Sequence, residues 1–444
     1  MTDTVRTLSA LQYLLRNGQP AGAITPQDLR DVVVSIPSIA RTGRIDALLE
    51  FGFGAGGNTA TQNTTALQDA FNAAIDGGYE VVLPGGTVSL NPGVRWNNQT
   101  PRITGQGKAT VLQFTSITDH LLHLGTGTYV DDLGPQGWCR DFVITGPDTA
   151  TYIKNGSGTK AGLLLNCIKF ADIARLDIRH CDVGLDLINN CYGTNFTGLK
   201  VGRYDKCNVG IRIRQSTQNG NDHVFHNAWL GGKVACVTIE ADVGTGADGI
   251  HFVGGQFTGG IGATSDMPDR GCIMLNWSYG TETASGGDQT RLVLSGTSFE
   301  AVHRKWCVYA VSPADITCRE VALNLLDTSD NAALGFFKNT LPYNDRMALY
   351  GTRVQGKVKT AFFGFTPDAG AVPSYYEEGT RGYINHAGAD WNCFARGLFD
   401  RSGWLRGVAV SGANPAVFML DGLRLRNNAG TLEKSTDGTS WSAV

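Results

Sequence analysis

The chain has 444 residues, with 37 basic against 40 acidic side chains and a formal net charge of −3. That balance gives no basic field for a nucleic-acid partner. No apolar run approaches the ~20 residues of a membrane span, so membrane insertion is not expected. Gly at 58 residues and charged residues at only 17% suit a turn-dense fold rather than a helical one.

Residues 1–45 differ from the rest. Leu8, Leu11, Leu14 and Leu15 follow helical spacing until Gln19-Pro-Ala-Gly breaks it. A second short helix is expected after Thr25-Pro26, with Thr25 as N-cap and Pro26 at the first helical position. The segment is too small to hold a core alone and should dock on another body. The start lacks a signal peptide's apolar stretch, so synthesis in the cytoplasm is expected.

Next come Phe51-Gly-Phe-Gly-Ala-Gly-Gly-Asn58, Asn63-Thr-Thr-Ala-Leu-Gln-Asp-Ala-Phe-Asn-Ala-Ala-Ile75 and Val81-Val-Leu-Pro-Gly-Gly-Thr87. A glycine turn leads into a short amphipathic helix over 64–76, with Leu67, Phe71 and Ile75 on one face, stopped by Gly77-Gly78. This stretch resembles the entry module of bacteriophage tailspike and tail fibre proteins of the pectate-lyase-like parallel β-helix superfamily. In that module the helix caps the open end of the solenoid, which would otherwise expose strand edges. Asn58 and Gln62-Asn63 stand where the family commonly has aspartates. Those acids are turn and cap residues, so the departure bears on fold and not on catalysis.

Residues 91–160 read as irregular early coils. His120 and His123, with Asp131-Asp132, invite a metal reading, but on one extended segment the two histidines face opposite sides, and no metal or cofactor is expected.

From Gly162 to Ser312 one pattern recurs. Gly162-Leu-Leu-Leu, Gly184-Leu-Asp-Leu, Gly210-Ile-Arg-Ile, Ala235-Cys-Val-Thr, Gly271-Cys-Ile-Met and Trp306-Cys-Val-Tyr open at steps of 22, 26, 25, 36 and 35 residues. A period of this size, rich in β-branched residues and glycine, marks a solenoid of strands and turns. The fold class read from it is all-β: a right-handed parallel β-helix with a short N-terminal helical segment and a C-terminal β-rich region. Aligned on the openings, Leu163, Leu185, Ile211, Cys236, Cys272 and Cys307 form an inward column. Val237, Ile239, Ile273, Leu275, Val308 and Ala310 then face outward as an apolar strip that needs cover. Asn189, Gln215, Glu240 and Asn276 read as a polar turn ladder. The ten cysteines show no ligand spacing and fit buried apolar fillers.

The two longest coils hold the candidate site. Hydrolysis of a glycosidic bond needs a protonated carboxyl beside a carboxylate, and acids on adjacent coils stack only ~4.8 Å apart. Glu300, Glu282 and Asp266 are the candidate catalytic acids. Trp277, Tyr279, Arg270, Asp288 and His251 are the candidate substrate contacts. Glu300 leads because it follows a strand and aligns with Thr258 one coil earlier.

After Asp345 the repeat weakens, and the trunk is expected over 46–345 with a β-rich region over 346–444. The last residues alternate in strand fashion, with turns at Asn428-Ala-Gly430 and Asp437-Gly438. The resemblance implies attachment to a virion tail or baseplate protein through residues 1–45, a homotrimer, and location in the phage tail. It also implies recognition and hydrolysis of a bacterial surface polysaccharide, capsule or O-antigen. A non-catalytic receptor-binding or structural tail protein and a polysaccharide lyase are the alternatives, because fold alone does not select a reaction.

Overall fold

The computed structural model describes residues 43–355 apart from 128–136, 148–159, 216–221, 260–270, 285–289, 325–334, 340–345 and some shorter stretches, plus separate strands beyond 355 and only Thr25 among the first 42. The helices expected within 1–45 lie outside those residues. Among them stand three parallel sheets: sheet I of thirteen strands, sheet II of ten and sheet III of twelve. The chain visits them in rotation. Glu80–Val82 lies in sheet I, Gly86–Leu90 in sheet II and Val94–Trp96 in sheet III, and the next strand, Arg102–Thr104, pairs back on Glu80–Val82. This is a parallel β-helix, right-handed as parallel crossovers are.

Its first strand, Arg44–Asp46, pairs with Glu80–Val82, and helices α1 (Ala47–Phe51) and α2 (Ala60–Gly77) lie between them. Thr59 caps α2 and shares a capping box with Gln62, while Gly78 ends it at φ 67°. Leu67, Ala70, Phe71 and Ala74 are fully buried against the first coils. The asparagines that replace the family's aspartates are structural. Asn63 Oδ1 accepts from the Gly54 amide at 3.0 Å and from Asn58 Nδ2 at 3.1 Å, and Asn63 Nδ2 donates to the Ser89 carbonyl at 3.2 Å.

The core is built from inward columns, and their register differs from the one expected. Leu163, Leu185 and Ile211 pair in turn, but Ile211 pairs with Val237, then Ile273 and Val308. The strip Val237, Ile239, Ile273, Leu275, Val308 and Ala310 is therefore inside, each residue at 0% exposure in the main core. A one-residue slip exchanges faces. Its origin is the corner, where two successive residues point inward. In early coils the first of these is glycine: a Cβ on Gly184 would sit 2.2 Å from Val201 Cγ1. In later coils Cys236, Cys272 and Cys307 fill that slot, preceded by Ala235, Gly271 and Trp306. These three cysteines are buried as expected, with Cys272 and Cys236 sulfurs 3.0 Å apart.

The corner between sheets I and II opens on a left-handed residue in eight coils: Asp141, Arg175, Gly198, Asn227, Gly254, Gly296, Glu320 and Gly351, with Gly255 left-handed as well. Phenylalanines stack behind it, with Phe196, Phe225 and Phe252 at centroid spacings of 4.3 and 4.7 Å. The boundary expected at 345 meets no break in the sheets, since Arg346–Tyr350, Arg353–Gln355 and Phe363–Phe365 continue sheets I, II and III. At the C-terminus, Val417–Leu420, Leu423–Asn428, Thr431–Ser435 and Ser442–Ala443 form an antiparallel sheet. Asn428 pairs with Thr431, so the strands on either side of the turn expected at 428–430 are antiparallel neighbours.

Candidate functional site

The outer face of sheet II presents a polar and aromatic strip. Trp229, Gln256 and Ser298 succeed one another across coils, and Thr258 is followed by Glu300. The Arg203 guanidinium lies 3.6 Å from the centroid of the Trp229 ring, whose indole N–H donates to Thr258 Oγ1 at 3.2 Å. Glu300 is half-buried and accepts from the Gln256 amide and, at 3.4 Å, from the Ser298 hydroxyl. Directly after it the register shifts: Thr258 faces Glu300, yet Gly259 faces Val302, which leaves one extra residue on the Glu300 strand. Such a bulge bends the strand and re-aims the side chain beside it.

A second polar group occupies the outer face of sheet III. Asp186 is fully buried and holds two arginines, Arg212 with contacts of 3.1 and 2.6 Å and Arg214 with contacts of 3.2 and 2.7 Å. Burial pushes the Asp186 carboxyl up, but the two guanidinium groups outweigh it and hold the group below the usual carboxylate range. Glu240, two strands on, goes the other way. Burial raises it, and Arg212, the Tyr279 amide and Arg214 pull it only partly back. Its oxygens accept from the Tyr279 amide at 2.9 Å and from the Ser278 hydroxyl at 3.2 Å. Glu240 is thus no member of a stacked ladder; the Asn189 amide instead donates to Asn166 at 2.8 Å.

Several expected contacts sit elsewhere than on an open groove. Trp277 and Tyr279 belong to a short hairpin, Trp277–Ser278 with Thr283–Ala284, and both rings are buried with Val183, Val209 and Met274 on the outer face of sheet III. An outer wall is covered, but it is this one and not the strip named from sequence. His251 is half-buried on the outer face of sheet I, between Val224 and Val293. His223 does not match it: that ring is fully buried in the solenoid. Asp266, Arg270, Glu282 and Asp288 lie outside the described residues.

His120 and His123 share the outer face of sheet III, because Leu121 and Leu122 between them both point inward. His120 Nδ1 accepts the Ala161 amide at 3.0 Å, and His123 Nε2 lies 3.3 Å from the Asn166 amide. No group of three potential ligands is gathered for a metal among the described residues. Asp186, Arg212 and Tyr279 as a cluster escaped the sequence reading. The visible signal was the Leu185-Asp-Leu and Ile211-Arg-Ile-Arg alternation, polar in successive coils at one outward position.

Solved structures similar to this chain include two virus proteins and a lyase. A protein of a Geobacillus virus is 16% identical at a TM-score of 0.45, covering 92% of this chain and 71% of its own. An Acinetobacter phage tailspike is 12% identical at 0.48, over 84% and 67%. An alginate lyase from Paenibacillus is 13% identical at 0.39, over 75% and 96%. No family model and no curated protein matches the sequence.

Proposed function

We propose that this chain is the trunk of a bacteriophage tailspike that binds a bacterial surface polysaccharide and cleaves it by glycosidic hydrolysis. The resemblance of residues 51–87 to the tailspike entry module supports the class. The observation that carries the site is the bulge beside Glu300: an acid on a rigid strand, re-aimed where its neighbour strand has threonine, and oriented by Gln256 and Ser298. Glu300 is the acid/base. Its partner acid is Glu282 or Asp266 rather than Asp288. Arg270 and Trp229 serve as sugar contacts. Residues 1–45 attach to the virion tail. The homotrimer rests on the resemblance alone, since the apolar strip that was expected to need cover is core.

The test is incubation of purified protein with capsules and O-antigens of candidate hosts, with fragments analysed for new reducing ends and for an unsaturated 4,5 bond. Hydrolysis yields the first without the second. Glu300→Gln should lower turnover by at least ~100-fold with binding intact. Normal turnover in that variant removes Glu300 from the mechanism. Light scattering should give three times the 47.4 kDa chain mass, and a monomer ends the trimer reading.

A further inference from the structure

On the outer face of sheet I, near the start of the trunk, a groove of about 410 Å³ is lined by Trp138, Arg140, Asp172, Ala174, Arg175 and Thr197. Its floor follows from register. Ala174 lies between Arg140 on one neighbouring strand and Thr197 on the other, so one methyl group sits between two longer side chains and leaves a depression. Trp138 pairs alongside Asp172 at its edge.

The tryptophan is held in place. Its indole N–H donates to Glu80 at 3.1 Å, and Glu80, only 6% exposed, also accepts from the Thr104 hydroxyl at 2.6 Å and pairs with Arg44 at 2.8 Å. Burial would raise the Glu80 carboxyl, but the Thr104 and Trp138 hydrogen bonds and Arg44 outweigh it, and the group stays below its ordinary value as an anion. The ring is therefore positioned by its polar edge. Guanidinium groups of Arg102 and Arg140 lie 5.6 and 5.7 Å from its centroid.

The cations nearby are not equivalent. Arg102 donates to the Gly78 carbonyl at 2.6 Å. Arg175 is engaged two-pronged by Asp141 at 2.6 and 2.7 Å. Arg140 has only a 3.3 Å bond to the Thr104 hydroxyl and a long 4.0 Å approach to Glu80, with its side chain 40% exposed. It is the guanidinium with capacity for an incoming anion. At the far side, Asp172 and Thr197 are exposed and suited to sugar hydroxyls, and the charge of Asp172 turns an anionic group toward Arg140.

We propose that this groove binds a carboxylated sugar unit, with the carboxylate on Arg140, the ring face on Trp138 and hydroxyls at Asp172 and Thr197. It is a second glycan site. Three to five strand spacings along sheet I, roughly 14–24 Å, separate the three strands that line it from the coil of Glu300, on another face of the trunk. It holds a chain rather than cutting it, and it does not depend on the hydrolase reading.

Calorimetric titration of the full chain with tetragalacturonate and tetraglucuronate, each beside its carboxyl-reduced form, tests this. At least one uronate should bind, with its reduced form about tenfold weaker. Arg140→Gln and Trp138→Ala should each lose about tenfold, and Glu300→Gln nothing; melting curves check that the variants are folded, and Trp138→Phe replaces the alanine variant if that one is not. Binding of neither uronate, equal binding of charged and reduced forms, or wild-type affinity in Arg140→Gln overturns the proposal. A protein that binds uronate here yet cleaves no polysaccharide keeps this site and loses the hydrolase reading.

Discussion

Tyr279 donates its hydroxyl to Asp182 at 2.8 Å, across 97 residues of sequence, and so fastens the hairpin at Trp277 to the outer face of sheet III. Burial keeps that hydroxyl protonated and a donor. Asp182 is 5% exposed and otherwise accepts from Asn208 at 2.8 Å. Tyr279→Phe keeps the ring and deletes the bond, leaving a buried carboxylate short of one donor at a cost of ~1–3 kcal/mol. Amide exchange at Tyr279, whose N–H donates to Glu240, should quicken. Unchanged exchange and melting temperature would show the hairpin held by its apolar contacts alone.

Asp186→Asn should cost more, about 3–5 kcal/mol, because it leaves the Arg212 guanidinium, 2% exposed, without its counter-charge. Removing Arg214, at 36% exposure, should cost less. The pH dependence has a definite sign. A carboxyl held low in the folded state contributes stability above its unfolded pKa of about 3.9, lost as pH falls through the lower folded value. Denaturant midpoints of wild type and Asp186→Asn should converge at acid pH. Parallel curves would contradict the ion-pair account.

Glu240→Gln should act in the opposite direction. Its folded pKa is raised, so the unfolded chain gives up the proton first and ionisation penalises the fold as pH climbs from the unfolded value through the folded one. At pH 7 the amide should equal or exceed wild type in melting temperature, with the gain vanishing at low pH. A loss at pH 7 would mean that the arginines stabilise the Glu240 anion more than burial opposes it.

The solenoid was legible because its signals are repeated: spaced β-branched runs, corner glycines and the Asn-rich entry helix each point to stacked coils. Faces were harder to read. Two consecutive inward residues at one corner break the simple alternation, so aligning Ala235 with Gly210 shifted every later column by one and turned Val237 and Ile273 inside out. A consequence is that Ile239→Asp should unfold its coil rather than block assembly. Glu300 was legible from its alignment with Thr258, which the register reproduces. The Asp186 cluster was not, since its members lie 26 to 93 residues apart and meet only through stacking. Trp138 gave no signal either, because what fixes it, Glu80, is 58 residues away.

His223 gives the trunk an acid-sensitive point. The ring is fully buried against Phe196, centroids 6.1 Å apart, and neither nitrogen has a hydrogen-bond partner. Burial pushes its pKa down to about 4, and the Cys191 backbone, without hydrogen-bond geometry, and Asp222 offset this only in part. The unfolded ring titrates near 6.5. Between those values the unfolded chain binds the extra proton, so stability is complete above about 6.5 and declines toward pH 4, by ~3 kcal/mol for this group. His120, also pushed down to about 4, adds to the same slope. His223→Leu replaces an unpartnered polar ring by an apolar side chain. It should match or exceed wild-type stability at pH 7 and shrink the acid slope by about one proton, read from denaturant midpoints across pH 4 to 7. An unchanged slope would show that His223 already finds a partner for its proton in the folded trunk.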